Sequence, residues 1–441
     1  MESIWSASNH LPNFPILKGD IKTDVLVIGG GITGILCTYQ LQQAGVNCIL
    51  VEANKLCSGI TKNTTAKITS QHGLLYHKLL HRFGKEKTTL YLNANELAII
   101  QYAELCKNIP CDFEWSDAFV YTKNHPNSIE QELDALAEIG YWAEYVNELP
   151  LPFCTAGAIK FKKQAQFHPL KFLSTIAKNL TVFEKTNVLH IKDNTAITPF
   201  GKITAKHMII ATHFPFINRY GYYFLKMYQH RSYVLALKNA QNVNGMYVDE
   251  AQTGLSFRNY HDFLLLGGGS HRTGKQGGNW KELEYFCRKY YPNAKEVYRF
   301  ATQDCMTLDE IPYIGLYSKS TPNLYVATGF HKWGMSSAMV ASTILRDQIL
   351  GKENPYASVF SPSRSILRPQ LFINIWESGV NLLSFSTKRC PHLGCALKWN
   401  PAEHSWDCPC HGSRFTENGT LIDNPAKEDL TKSNKSTTDG A

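Results

Sequence analysis

The sequence predicts an α/β protein with an interleaved α+β lobe and a small all-β module at its C-terminal end. Three observations carry that expectation. Asp24 to Gly29 reads as a short buried strand running into the turn Gly29-Gly-Gly31-Ile-Thr-Gly34, after which Ile35 to Ala44 has helical character. A second apolar strand, Asn47 to Val51, ends in Glu52. Far downstream, CPHLGC at Cys390 to Cys395 and CPCHGS at Cys408 to Ser413 gather cysteines and histidines at metal-binding spacing.

Strand, tight turn, helix and a following acid form the pattern of a dinucleotide-binding fold. Gly29 permits the turn, Gly31 lets the backbone approach a pyrophosphate, and Gly34 lets the helix pack on the strand. Ile32 and Thr33 open the helix, whose N-terminus faces the phosphates, and Glu52 is placed to hold a ribose hydroxyl. A glycine-rich turn without a ligand is the bland alternative, and it leaves Glu52 unexplained. Downstream, Lys85 to Lys107 and Ser128 to Ile139 show helical periodicity. Phe119 to Thr122, Tyr233 to Ala236 and Phe263 to Leu266 are aromatic and branched, as expected of strands in a second lobe. Gly351 to Gln370, rich in proline and serine, reads as a linker. The expected division is 1–355 for the interleaved lobes, 356–370 for the linker, 371–430 for the cysteine–histidine module and 431–441 for a disordered polar tail.

The two cysteine–histidine boxes resemble a Rieske 2Fe-2S site. In that family one iron takes two thiolates and the other two imidazoles, which implies Cys390, His392, Cys408 and His411 as ligands. The resemblance also implies a disulfide between Cys395 and Cys410. A zinc ribbon would use two Cys and two His as well. Zinc, however, accounts for neither the extra cysteine pair nor Gly394, Gly412 and Ser413. Only about twenty residues, Leu371 to Arg389, precede the first ligand. So short a module is expected to lean on the rest of the chain, with Phe372, Ile373, Ile375, Trp376, Leu382 and Leu383 as packing residues.

Ser58 to Lys67, Thr307 to Gly315 and Tyr325 to Met335 are similar to segments of the D-amino-acid oxidase superfamily of FAD enzymes, a likeness that covers almost all of residues 20–355. The resemblance implies FAD contacts at Thr65, Ala66, Lys67, Gly329, Trp333, Gly334 and Met335. A strand at Val182 to His190 nominates Val188 at the adenine. The strand Met208 to Ala211 ends in Thr212-His213 where many relatives place glycine. Cys305 lies near the point of covalent flavin attachment in some relatives, but its spacing differs, and a free buried thiol is expected.

Composition fits a large enzyme. The 441 residues are 44% hydrophobic, enough for two or three domains. The net charge of +8 has no long basic block behind it, which argues against nucleic acid as a partner. No apolar run approaches the ~20 residues of a membrane span, and Met1-Glu-Ser-Ile-Trp-Ser lacks the basic start of a signal peptide. Eight of the twelve cysteines are scattered without disulfide spacing, as in a reducing compartment, so a cytoplasmic location is expected.

Joining the two cofactors gives the expected function. FAD would oxidise a small-molecule amine or amino acid, and the 2Fe-2S cluster would export the electrons singly to an acceptor such as a quinone or a soluble carrier. Candidate substrate contacts are Arg258, Arg231, Tyr233, His271, Lys275 and Lys332, and for each a structural role is at least as natural. His72, His168 and His213 read as hydrogen-bonded structural residues. Two rival readings stay open: an electron-transfer or redox-sensing protein without a small substrate, and an oxygen-consuming oxidase with a structural cluster.

Overall fold

The computed structural model describes residues 2–386 and 388–430, so the tail expected at 431–441 lies outside the described residues. At the centre of the first lobe is an eight-stranded sheet whose main path runs Tyr313–Leu316, Leu324–Thr328, Gly201–Ile210, Ile21–Ile28, Cys48–Val51 and Val182–Phe183. Ile21–Ile28 pairs in parallel with both neighbours, Ile28 opposite Ile210 and Val51. Val25 to Ile28 are all buried, as in a parallel strand covered on both faces. The helices Ile32–Gln43 and Gly334–Ile349 pack together on this sheet. Two glycines make the close fit possible. Gly29 takes φ +112, and a Cβ there would stand 2.5 Å from the Ala211 carbonyl oxygen; a Cβ on Gly34 would collide with the carbonyl of Gly29.

The chain leaves this sheet twice to build a second one of nine strands. Its main path is Lys295–Thr307, Met227–Lys238, Phe263–Arg272, Ser256–Tyr260, Met246–Asp249, Glu114–Thr122, Gly157–Gln166 and Lys67–Ile68. The expected strands are present, each running on beyond the aromatic and branched stretch into polar residues, as Glu114–Thr122, Met227–Lys238 and Phe263–Arg272. The expected helix at Lys85 belongs to a longer one, Tyr76–Cys106, broken at Gly84 (φ 76).

Three expectations need correction. The adenine strand stops at Phe183, because Lys185 takes positive φ (51) and turns the chain; Val188 lies on a loop. The segment 356–370 is not a loose linker. Val359 and Phe360 enter the main core, Phe360 stacks on Tyr91 at 5.5 Å, and the Arg364 guanidinium donates to Asp309 at 2.6 and 2.9 Å. The third concerns Leu371 to Arg389. A helix, Pro369–Leu383, occupies most of it, with Pro369 in the first turn, where its missing N–H costs nothing. Phe372, Ile373, Ile375, Trp376, Leu382 and Leu383 are exposed rather than packed, while Leu371, Asn374 and Asn381 face inward. Beneath the helix lie Arg272, ending its strand, and Lys275 just past it, which hold Asn374 and Glu377 and so turn the polar side inward.

The C-terminal module is a four-stranded antiparallel sheet, Lys398–Asn400, Ser405–Asp407, Arg414–Thr416 and Leu421–Asp423 in that order. It docks on the second lobe through buried charge. Glu403 receives Arg231 Nε at 3.0 Å, Arg414 Nη2 at 2.8 Å and the Tyr233 hydroxyl at 3.1 Å.

Candidate functional site

A cavity of about 630 Å³ lies between the two sheets, and most residues expected at a dinucleotide are on its wall: Gly29, Gly31, Ile32, Thr33, Glu52, Thr65, Lys67, Val188, Gly329, Trp333, Gly334 and Met335. Gly34 and Ala66 are behind the wall. Gly34 serves helix packing, and Ala66 is fully buried at positive φ (52).

The first turn is built to receive an anion. Gly31 caps the helix Ile32–Gln43 without any side-chain hydrogen bond, so N–H groups of the first turn remain available. Only Ile32 N–H is engaged, by Thr61 Oγ1 at 3.1 Å. Glu52 is fixed by Gly30 N–H at 2.6 Å and Asn54 N–H at 2.8 Å. Burial raises its pKa, and those two N–H bonds counter part of the rise. A carboxylate accepts about four hydrogen bonds, so it retains capacity for a ribose hydroxyl.

At the other end, the loop Gly329 to Trp333 runs through consecutive left-handed residues, His331 (φ 49) and Lys332 (φ 72), a strained conformation of the kind that clusters at functional sites. It aims Lys332 into the cavity, where Nζ donates to the Gln252 carbonyl at 2.9 Å. Burial lowers the Lys332 pKa, opposed by Asp304; burial raises Asp304 to about 6, opposed by Lys332 and Arg231. Glu310 is paired with Lys78 at 3.0 Å on the same wall. His72 stacks on Trp333 at 4.9 Å and bonds Tyr91 and Ser336 through its two ring nitrogens, and burial pushes it down to about 3, so it stays neutral. Thr212 and His213 reach the wall, and His213 takes positive φ (63) at the point where glycine was expected.

Most of the proposed substrate contacts are engaged elsewhere. Arg258 Nη1 donates to the carbonyls of Thr65 and Ala66 at 2.6 and 3.0 Å, holding the loop behind the wall. Arg231 is ion-paired with Glu403. Tyr233 lines the cavity, but its hydroxyl is turned to Glu403 and His271 Nε2. Lys275 pairs with Glu377 at 2.7 Å. The second lobe binds the C-terminal part of the chain with Arg231, Tyr233 and Lys275, a role that a sequence without contacts does not reveal. Asp304, Glu310 and Lys78 were missed. Asp304 was within reach, since it adjoins Cys305 in a segment already singled out.

The cysteine–histidine loops meet at the top of the small sheet. Cys390, Cys395, Cys408 and Cys410 are all buried, and the sulfurs of Cys395, Cys408 and Cys410 lie within 4.8 Å of one another. The expected Cys395–Cys410 disulfide is not formed; both are free thiols, grouped with Cys408 rather than drawn into a covalent pair at about 2.05 Å. The imidazoles of His392 and His411 stand 5.0 Å apart. Both Nδ1 atoms are buried without a hydrogen-bond partner, while His392 Nε2 contacts Asn218 Oδ1 at 3.0 Å. Burial holds His392 down to about 4 and His411 to about 3, so both rings are neutral, as metal ligation requires. Orphaned Nδ1 atoms beside buried thiols fit a cluster held by nitrogen and sulfur, with the Asn218 contact fixing the tautomer.

This module also closes the first site. Leu421 to Asn424, Ala426 and Lys427 are on the cavity wall, and Asn424 Nδ2 donates to the carbonyls of Thr212 and Phe214 at 2.7 and 2.8 Å. Ala426 N–H donates to Ser413 Oγ at 3.0 Å, two residues past His411. Gln229 Nε2 and Gln303 Nε2 grip the carbonyls of His411 and Gly412 at 2.7 and 2.8 Å.

The family described as FAD dependent oxidoreductase matches residues 24–348, and the Rieske [2Fe-2S] domain matches 370–434. The chain is 35% identical to YhfW of Bacillus subtilis (strain 168), described as a Rieske 2Fe-2S iron-sulfur protein, over 97% of each chain. In fold it is similar to glycine oxidase from Geobacillus kaustophilus, with a TM-score of 0.66 at 17% identity over 78% of this chain and 99% of that one. L-Proline dehydrogenase from P. horikoshii gives the same TM-score and identity, over 79% and 98%. FAD and a 2Fe-2S cluster are the cofactors these domains carry. A glycine cradle with an uncapped helix at one end, and a module of buried thiols and imidazoles with unpartnered Nδ1 atoms shutting the same cavity, agree with the family matches, and the chain belongs to the FAD dependent oxidoreductase family with a C-terminal Rieske [2Fe-2S] domain.

Proposed function

We propose that the protein is a dehydrogenase that oxidises an amine or amino acid at FAD and exports the electrons one at a time through the Rieske cluster. The observation that carries the reading is the shared wall: Leu421 to Asn424, Ala426 and Lys427 line the cavity, and Ala426 also holds the loop of His411 through Ser413. Bound FAD supplies a two-electron acceptor that can release its electrons singly, and the cluster a one-electron one. Gly29, Gly31, Ile32, Thr33 and Glu52 would hold the dinucleotide end of FAD, with Gly34 packing the helix behind them. Val188 would lie at its adenine, and Thr65, Lys67, Gly329, Trp333, Gly334 and Met335 would contact the flavin end, with Ala66 shaping the loop behind them. Cys390 and Cys408, as thiolates, and His392 and His411, through Nδ1, hold the cluster.

Lys332 is the cation that takes a substrate carboxylate, since Arg231 and Arg258 are committed to other partners. Asp304 sits opposite and tunes the charge of Lys332, while Glu310 on the same wall is held by Lys78. The module's cap over Thr212 and Phe214 covers the cavity beside the Gly29 turn.

The test is anaerobic addition of amines and amino acids. A substrate is expected to bleach the flavin spectrum and then give the electron paramagnetic resonance signal of a reduced cluster. In His411→Ala the bleaching should persist without that signal. If no amine or amino acid bleaches the flavin while a protein reductant reduces it, the chain is an electron carrier and the dehydrogenase reading is wrong.

A further inference from the structure

The helix Pro369–Leu383 is amphipathic in the reverse sense. A surface helix normally turns its apolar stripe to the core. Here Phe372, Ile373, Trp376, Val380 and Leu383 face outward, with Trp376 72% and Leu383 84% exposed, and Phe385 extends the ridge beyond the helix end. The inner face, Leu371 apart, is polar and tied to the chain beneath it. Asn374 Oδ1 accepts from Arg272 Nη1 at 3.2 Å, Glu377 pairs with Lys275, and the Asn381 carbonyl accepts Ala396 N–H at 2.9 Å. Rotating the helix to bury its apolar side would break all three. The outward face is therefore fixed by the fold.

Charge identifies what covers it. Arg368 at the start of the ridge lies over the Phe83 ring, Lys388 Nζ just past its end lies over Trp406, and Arg389 donates to backbone carbonyls; none makes an ion pair among the described residues, and the segment's one acid, Glu377, is turned inward. A second copy of the chain is a poor cover. Two such helices packed antiparallel would set Arg368 of each against Lys388 and Arg389 of the other, on molecules of net charge +8. An apolar ridge carrying Trp and Phe, with cations at both ends, matches the interface of an anionic bilayer. Fifteen residues span about 22 Å, too short to cross the ~30 Å hydrocarbon core. No helix among the described residues is long and apolar enough to cross a membrane.

We propose that this helix is a docking surface for an anionic lipid bilayer, lying in the headgroup plane with its outer face in the acyl boundary. Docking would set the first cluster loop at the bilayer surface, because Arg389 adjoins Cys390 and binds the carbonyls of Leu382 and Gly394 at 2.8 and 3.1 Å. That position suits delivery of electrons to a lipid-soluble acceptor of the quinone class. This last point rests on the redox reading above, whereas lipid binding does not.

The experiment is co-sedimentation of the full-length holoprotein with vesicles of phosphatidylglycerol and phosphatidylcholine, against phosphatidylcholine alone. Sedimentation is expected only with the anionic vesicles and should weaken as salt is raised. Lys388→Ser should lower the affinity roughly fivefold, the effect of about one cation at a charged surface. The triple variant Phe372→Ser/Trp376→Ser/Leu383→Ser should abolish binding while its flavin and cluster absorbance stay unchanged. Independently of folding, brominated lipid should quench part of the tryptophan emission, and Trp376→Phe should remove that quenching yet still bind. The proposal is overturned if the protein sediments with neither vesicle, or if the triple variant binds as well as the wild type. A dimer in solution that this variant dissolves would overturn it too, because the occupant would then be a second copy.

Discussion

Cys305 lies on the wall of the FAD cavity, 1% exposed, and burial pushes its thiol far above the ordinary range. A thiol held protonated is a poor nucleophile, so FAD is expected to be bound without a covalent link. Acid precipitation should release the yellow cofactor; colour left in the pellet and lost in Cys305→Ala would overturn this. Lys332→Met should reduce kcat/KM on a carboxylate-bearing substrate by about 10- to 100-fold, the worth of one charged hydrogen bond at about 1.5–3 kcal/mol, while FAD occupancy is retained. Phe415 packs in the same buried cluster as Cys390 and Cys408. Rieske potentials rise with each hydrogen bond to the sulfurs, so Phe415→Tyr should raise the midpoint potential and Ser413→Ala should lower it, read by redox titration with electron paramagnetic resonance. The cluster boxes were legible at this scale because their ligands are close in sequence. For Arg231 and Arg258 the sequence left structural and substrate roles open, because their partners, Glu403 and the Thr65–Ala66 backbone, are about 170 and 190 residues away.

Among the elements, the strand–turn–helix at Ile21 to Gln43 has the least tolerance. Gly34→Ala puts a methyl against the Gly29 carbonyl. Overpacking of about 1–3 kcal/mol is expected there, with loss of FAD in the purified protein and a lower Tm. The small sheet is held to the second lobe by Arg231, Glu403 and Arg414, with side chains 2–6% exposed. Removing one member of a buried charge network leaves the others unpaired, so Glu403→Gln should cost about 3–5 kcal/mol, seen as a lower denaturant midpoint. Burial alone would raise the Asp407 carboxyl, but Arg414 and Arg231 hold it below the usual carboxylate range. Its contribution is therefore full above the unfolded carboxylate pKa of about 4 and is lost as pH falls through the lower folded value. Acid unfolding should begin in the C-terminal module, and Asp407→Asn should remove that part of the pH dependence.

On the scale of the whole molecule, two cofactor modules share one wall. The chain's route alternates between two sheets, so residues from 29, 188, 252, 304, 332 and 424 converge on one cavity. This arrangement predicts thermodynamic coupling between the cofactors. Asn424→Ala, which removes the bonds to Thr212 and Phe214, should slow electron transfer from the bleached flavin to the cluster in stopped-flow measurements while leaving both bound. The helix Pro369–Leu383 belongs to this scale too, since its outer face has meaning only against something outside the chain.

By itself the sequence determined the short-range chemistry: the glycine turn with Glu52, the two cysteine–histidine boxes, and the parallel strands whose apolar runs demand cover on both faces. Those signals are legible because the constraint lies within about thirty residues, where spacing and local geometry are the same thing. Tertiary structure alone decided which cations are free and which are paired, and that the segment 356–370 packs into the core. It also decided that the apolar side of Pro369–Leu383 faces out. In each case the deciding term is the energy of burying charge or polar groups, which depends on what stands opposite in space, and an apolar pattern in sequence does not say which way it points.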